Sequence, residues 1–325
     1  MSKTIISIVV PCHNEEEMVP IFHKEIAAVS AQLPDAAFEL IFVDDGSKDA
    51  TLAELKRLAE LDERVHYLSF SRNFGKEAAL LAGLRHATGD YVAVMDADLQ
   101  DPPAMLVEMV ALIRTGAYDC IGTKRIDRKG EPPIRSFFAR KFYQLINRIS
   151  DTEIVDGARD FRLMTRQMVD AVLEMTEYNR FSKGIFSWVG FETKYLSYEN
   201  QERVAGKTTW SFWSLFKYSL DGIVAFSEAP LAIAAFTGFL SFAVAILAAL
   251  FLTVRTLVFG NETSGWTSLI VIILGMGGLQ LLCLGILGKY LGKTFMETKR
   301  RPLYILKETD AGLPDSDRRK GQADA

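Results

Sequence analysis

Over the first 120 residues, short apolar runs alternate with stretches whose apolar residues recur at helical spacing. "IISIVVP" (5–11) predicts a buried strand, and "EEEMVPIFHKEIAAVSAQL" (15–33) predicts the helix behind it. The alternation then repeats three times. "FELIFVDDGS" (38–47), "VHYLSFS" (65–71) and "YVAVMDAD" (91–98) predict strands. The helices that follow are "DATLAELKRLAELD" (49–62), with Asp49 or Ser47 near its N-cap, "KEAALLAGLRHA" (76–87) and "PPAMLVEMVALIRTG" (102–116). Such alternation predicts an α/β fold, Rossmann-like, with a mainly parallel sheet flanked by helices.

After residue 228 the pattern changes. Residues 229–254 and 263–288 form two runs of 26 residues, each without a charge, and a membrane span needs about 20 apolar residues. The apolarity continues around the whole helix, unlike that of a half-buried soluble helix. We therefore expect a C-terminal two-helix transmembrane hairpin, with spans at about 230–254 and 266–288. The connector "RTLVFGNE" carries one Arg, whereas Lys289, Lys293, Lys299, Arg300, Arg301 and Lys307 follow the second span. By the positive-inside rule, the N-terminal region and the tail are cytoplasmic. The expected organisation is a cytoplasmic domain over 1–228, the hairpin over 229–288, and a basic tail over 289–325 that is partly disordered. Interfacial helices are expected at about 132–150 and 208–226, the latter holding the aromatic "WSFWSLFKY" (210–218).

Composition narrows the partners. With 37 basic and 41 acidic residues the formal net charge is −4, which gives no general attraction for nucleic acid. Cys12, Cys120 and Cys283 are too far apart for a zinc motif or a disulfide framework. The N-terminus "MSKTIISIVVPCHNEEE" has no cleavage pattern and reads as a first strand, not a signal peptide.

In doubly wound sheets ligands bind outside the carboxyl ends of the strands. Four polar clusters fall there: "PCHNEEE", "DDGSKD", "SRNFGKE" and "DADLQD". In extended geometry Asp96 and Asp98 point to one side. Convergent carboxylates repel, and a hard divalent cation, Mg²⁺ or Mn²⁺, neutralises such a pair. Asp101 reads as a cap for the helix after "PP". Asp44 or Asp45 could accept hydrogen bonds from a ribose or a base. G-x-G-x-x-G and the P-loop pattern are both absent from the first turn, which disfavours dinucleotide enzymes and P-loop NTPases.

Together "IVVPCHNEE", "FVDDGSKD", "SRNFGKEAALLAGL", "DADLQDPP" and "DFRLM" resemble glycosyltransferase family 2, which has the GT-A fold. The closer resemblance is to its polyisoprenyl-phosphate branch, the dolichol-phosphate mannose synthases and bacterial bactoprenol glucosyltransferases. It runs from about Ile5 to the tail. It implies a nucleotide-sugar pocket formed by Pro11, Asn14, Glu15, Asp44, Asp45, Lys76, Asp96 and Ala97, closed by Arg203 and Lys207 of a basic loop. It implies a metal shell of Asp96, Asp98 and Gln100. Asp160 is the acidic position opposite, with Asp156 as a weaker claimant, so the implied catalytic set is Asp160, Asp98 and Asp96. The acceptor phosphate falls to Arg125, Arg140 and Arg162.

The implied reaction moves one sugar onto polyprenyl (undecaprenyl) phosphate at the cytoplasmic face of a bacterial inner membrane. UDP-glucose is favoured as donor, ahead of UDP-N-acetylglucosamine and GDP-mannose. A phosphomonoester already carries about −1.5 to −2 charges near neutral pH, so Asp160 could orient the acceptor or bind metal instead of acting as a base. Direct displacement with inversion is the simplest course. The alternatives are a processive polysaccharide synthase, whose Q-x-x-R-W motif is missing, and an inactive sugar-nucleotide sensor or scaffold. A homo-oligomer is compatible with so small a membrane anchor.

Overall fold

The computed structural model describes residues 3–125, 155, 157–198, 227, 229–259 and 265–310. At the centre of its sheet, β1 (Thr4–Cys12) runs parallel to β2 (Ala36–Asp44) on one side and to β4 (Tyr91–Val94) on the other. Beyond β2 lies β3 (Val65–Phe70), also parallel. β6 (Ala158–Thr165) is antiparallel to both β4 and β5 (Cys120–Arg125), and β7 (Thr193–Tyr198) joins β5 in parallel. A last strand, β8 (Leu306–Thr309), closes the other edge antiparallel to β3. The spatial order is β7-β5-β6-β4-β1-β2-β3-β8.

The apolar runs are continuous because both faces of the sheet are covered. Ile6, Ile8 and Val10 of β1 and Phe38, Leu40 and Phe42 of β2 join one core, under α1 (Met18–Ser30), α2 (Thr51–Leu61) and α4 (Met105–Ile113). Val9, Ile41 and Val43 face the opposite core, under α3 (Lys76–His86), α5 (Arg166–Glu174) and α6 (Ser182–Trp188). The expected α/β architecture is therefore present, with a mixed sheet where a mainly parallel one was read.

Three boundaries move. β4 ends at Val94, so Asp96 and Asp98 lie in the loop beyond the strand. Part of the expected tail forms β8, which Lys56 holds through Glu308 at 2.8 Å and His66 through the adjacent Asp310 at 2.7 Å. The two long helices overrun the expected spans: α7 is Ala229–Phe259 and α8 is Trp266–Thr298. Among the described residues one helical stretch, Ala229–Ala248, is long and apolar enough to cross a membrane, with mean hydropathy 2.3 and none of it buried. α8 packs on α7, with Cys283 Sγ 3.7 Å from the Ala234 carbonyl, and its Tyr290 hydroxyl donates to the Ser227 carbonyl at 2.6 Å. The expected interfacial helices at 132–150 and 208–226 lie outside the described residues.

The approach of α3 to the sheet depends on one missing side chain. A Cβ on Gly83 would stand 2.2 Å from Val9 Cγ1 and 3.3 Å from Val43 Cγ2. Alanine is about 1 kcal/mol better than glycine inside a helix, but overpacking a core costs about 1–3 kcal/mol. Gly83→Ala is thus expected to lower the unfolding midpoint of the full-length protein followed by circular dichroism. Val9→Ala in the same chain should recover most of that loss. A midpoint raised by Gly83→Ala alone would refute this account.

Candidate active site

The loops after β1 and β2 are stitched together before any ligand arrives. Asn14, at φ 57°, accepts the Lys48 N–H on its side-chain oxygen at 2.9 Å and donates its own N–H to Ser47 Oγ at 2.9 Å. Glu15 N–H donates to Thr51 Oγ1 at 2.8 Å. Asp49, one residue before Ala50, accepts the Thr51 N–H at 3.1 Å; Ala50 is the N-cap of α2 and has no side-chain cap bond. Pro11 lies at the end of β1, in register with Val43.

Asp44 and Asp45, both read as nucleotide ligands, are almost fully buried and organise the loops themselves. Asp44 accepts the Ser47 N–H at 2.9 Å and the Ser69 hydroxyl at 2.8 Å. Asp45 accepts the N–H groups of Phe74 (2.6 Å) and Gly75 (2.9 Å), fixing the loop after β3. Burial pushes the Asp45 carboxyl up from its ordinary value, although those two N–H groups favour its charged form. Gly46, at φ 63°, lets the β2 and β3 loops touch, since a Cβ there would sit 2.4 Å from the Arg72 carbonyl carbon.

The sheet register brings the remaining acids together. β4 and β6 pair antiparallel with Val94 opposite Arg162. Continuing two residues along each chain places Asp96 facing Asp160. Like charges directly opposite are destabilising, and Lys76 relieves them. It opens α3 and puts its Nζ 2.6 Å from Asp96 Oδ1 and 2.5 Å from Asp160 Oδ2. Burial works against the ammonium, but the two carboxylates hold Lys76 well above its ordinary value. Burial likewise opposes ionisation of Asp160, yet Lys76, Lys183 and Arg162 hold its carboxyl well below the usual range. The three side chains keep 42%, 24% and 20% exposure for Lys76, Asp96 and Asp160, so water and ligands reach them.

The "DADLQD" loop differs from its sequence reading in two places. Asp101 does not cap α4, which has Ala104 at its N-cap and no side-chain cap bond. It is buried, and its Oδ1 accepts from Arg159 Nε at 3.0 Å and from the Tyr198 hydroxyl. Gln100, assigned to the metal shell, turns its Oε1 to Arg159 (3.2 Å) and Arg125 (3.3 Å) instead. Just before Gln100, Leu99 is held at φ 54°, a left-handed conformation that a leucine rarely adopts. Arg159 had no signal in the sequence beyond its place next to Asp160.

Arg162 also needs correction as a ligand for the acceptor phosphate. Only 3% exposed, it donates to the carbonyls of Asp160 (3.3 Å) and Arg159 (3.0 Å) and stacks on Phe186 at 3.9 Å. It shapes the start of β6 from beneath. Arg125 remains at the rim, at the end of β5. Ala97 is buried between Asp96 and Asp98. Arg140, Asp156, Arg203 and Lys207 lie outside the described residues.

Among the described residues no group of three His, Cys, Asp or Glu is placed to hold a metal ion. A Mg²⁺-type ion needs only one or two carboxylates when substrate phosphates complete its shell. Asp96 and Asp98 meet that lesser demand with hard oxygen donors two residues apart, and the loop carrying them is pinned by the Gln100–Arg159 contact. The donor set therefore fits a divalent ion that arrives with a phosphate ligand.

Residues 7–173 match the family described as "Glycosyl transferase family 2". CsbB of Bacillus subtilis (strain 168) is 43% identical over 98% of this chain and 95% of that protein. The "Prophage bactoprenol glucosyl transferase homolog" of Escherichia coli (strain K12) is 44% identical, over 93% of this chain and 98% of the relative. The "SfII prophage-derived bactoprenol glucosyl transferase" of Shigella flexneri is 42% identical, over 95% and 99%.

The two roles for Asp101 differ in cost. Removing a helix cap costs about 1 kcal/mol, whereas breaking a buried ion pair costs about 3–5 kcal/mol. With Arg159 still 22% exposed, Asp101→Asn should fall toward the lower end of that second range in denaturant unfolding. Burial, then the Asp101 charge, pushes the Tyr198 phenol up to about 12. The folded state thus holds this proton longer than an unfolded tyrosine near 10, so its contribution to stability is full below pH ~10 and lost as pH rises toward ~12. Ultraviolet titration against a Tyr198→Phe reference should show Asp101→Asn moving that ionisation down; no movement would refute the pairing.

Proposed function

The chain belongs to glycosyl transferase family 2, and from that premise we propose that it transfers one sugar from a nucleotide-diphosphate donor to a polyprenyl phosphate, with inversion. The observation that carries this reading is the Lys76 ammonium between Asp96 and Asp160 at the carboxyl edge of the sheet. The names of the bactoprenol glucosyl transferase relatives support the lipid acceptor and favour glucose as the sugar.

In this reading the β1 and β2 loops, fixed by Asn14, Asp44 and Asp45, form the floor for the nucleoside, and Glu15 stands at its edge. Asp96 and Asp98 would hold a divalent ion, which would supply positive charge against the diphosphate and the charge developing on the leaving group. Lys76, once offered the β-phosphate, serves the same developing charge from the α3 side. Its departure frees Asp160 to face the acceptor. The incoming phosphate is already largely deprotonated at neutral pH and needs no base, and Lys183 and Arg162 still favour the ionised Asp160 carboxylate once Lys76 has turned away. Asp160 then orients and does not serve as the general base. Arg125 offers the acceptor phosphate a planar guanidinium, and Arg140, Arg203 and Lys207 keep the roles that the family resemblance implies.

The proposed setting is a bacterial inner membrane. Both α7 and α8 cross it as a hairpin, residues 1–228 form the catalytic domain on the cytoplasmic side, and the basic stretch after Gly288 stays with them. The uncharged runs and the exposure of α7 support this placement.

Purified protein with undecaprenyl phosphate, Mg²⁺ and a panel of labelled nucleotide sugars should yield a lipid-linked sugar with one donor, UDP-glucose first. EDTA should abolish the product, and Asp98→Asn should lower kcat at saturating metal by about 100-fold or more, the scale of losing one preorganised electrostatic group. No lipid product with any donor would overturn the function, and full activity of Asp98→Asn would overturn the metal role.

A further inference from the structure

Away from the Asp96–Lys76–Asp160 cluster, a pocket of about 360 Å³ opens between the start of α3, residues 178–181 and the charged end of α8. Arg72, Arg180 and Lys293 line it, with Phe74 as an apolar wall, Asn179 as an amide and Glu77 as its one acid among the described lining residues. Glu77 is committed elsewhere. It accepts the Ser182 N–H at 3.0 Å and the Ser182 hydroxyl, and burial pushes its carboxyl up from the ordinary value. Glu177 is the other acid whose charge supports Arg180. Among the described lining residues the cations therefore outnumber the acids, while Glu297 stands beside them and accepts the N–H groups of Tyr178 and Asn179.

Two donors of this wall, Arg180 Nε and Asn179 Nδ2, are buried without a partner among the described residues. Arg72 is held in place by stacking on Phe74 at 4.0 Å. Arg180 Nη1 donates to the Met175 carbonyl, whereas its buried Nε has no acceptor among the described residues. A buried donor left unsatisfied is costly, and phosphate oxygens match planar guanidinium donors. We propose that this pocket binds the phosphate of a membrane lipid headgroup, at a site distinct from the acceptor position given to Arg125. The depth agrees. Lys293 lies five residues past Gly288, the last residue of the uncharged run, or roughly 7 Å along a helix. Headgroups occupy about the first 5–8 Å outside the hydrocarbon core. This depth argument rests on α8 crossing the membrane, as proposed above; the charge and the unpartnered donors do not.

The test is isothermal titration of the full-length protein in neutral detergent with dihexanoyl phosphatidic acid, dihexanoyl phosphatidylcholine and inorganic phosphate. Phosphatidic acid should bind, and the Arg72→Gln/Lys293→Gln double variant should weaken that binding at least tenfold with its thermal midpoint retained. Lys293→Arg, which keeps the charge, should stay within about threefold. Equal binding of phosphatidic acid by wild type and double variant would overturn the site. Phosphatidylcholine binding as tightly would overturn its selectivity for anionic headgroups, and inorganic phosphate binding as tightly would overturn the lipid as its ligand. None of these outcomes depends on whether sugar transfer is observed.

Discussion

One ammonium group holds the carboxyl edge of this sheet together. Without Lys76, the antiparallel insertion of β6 beside β4 would set Asp96 against Asp160 with no ion pair bridging them, leaving Lys183 and Arg162 to offset Asp160 alone. The rest of the local structure keeps that ammonium where it is. α3 is buried along most of its length, from Ala78 to Leu84, and Gly83 lets it sit down on Val9. The residue after Lys76 is tied to α6 through Ser182, and the residue before it is tied to Asp45. With helix, strand and loop all fixed, the cation is positioned by the fold and not by the flexibility of its own side chain. Being only partly buried, the cluster adds little to stability; it is better suited to exchanging one anionic partner for another.

Much of this was legible in the sequence, for definite reasons. The first four strands are buried on both faces and so appear as uninterrupted apolar runs, and each polar cluster falls where such a run stops. The acids of "DADLQD" and Asp160 were singled out, and the structure does bring Asp96 and Asp160 to one place. What escaped was long-range pairing. Local periodicity does not disclose that "ARDFRLMT" inserts antiparallel between β4 and β5. β8, whose residues alternate between half-buried and exposed, has little apolar signal to offer. Asp101 was misread because a carboxylate before two prolines has the pattern of a cap; its partners, Arg159 and Tyr198, lie 58 and 97 residues away. Arg162 was misread for a related reason: a guanidinium in a motif suggests a ligand, but this one lies beneath the site with Phe186 against its face.

The loop from Ser71 to Lys76 concentrates several duties in six residues. Its backbone N–H groups satisfy Asp45, its last side chain neutralises Asp96 and Asp160, and Arg72 and Phe74 turn to the pocket beside α8. Gly75, at φ 99°, supplies the reversal that lets one short segment face two ways.

The same economy fixes the domain relative to α8. Glu297 near the end of that helix accepts the N–H of Tyr178 at 2.8 Å and of Asn179 at 3.4 Å. A few residues on, Tyr304 stacks on Phe70 of β3 at 5.0 Å, and β8 then pairs with that strand. α8 is thus bound to the sheet domain at its last turn and through the chain that leaves it, on the face that carries α3. An enzyme acting on a lipid phosphate must hold its cleft at the height where that phosphate emerges, because a misplacement of about 1 Å can cost a hundredfold in rate. Two attachments to one rigid helix meet that requirement better than a flexible linker, whose end-to-end distance spreads over several ångströms per square root of residue number. On the proposed membrane reading, α8 serves as a ruler as well as an anchor.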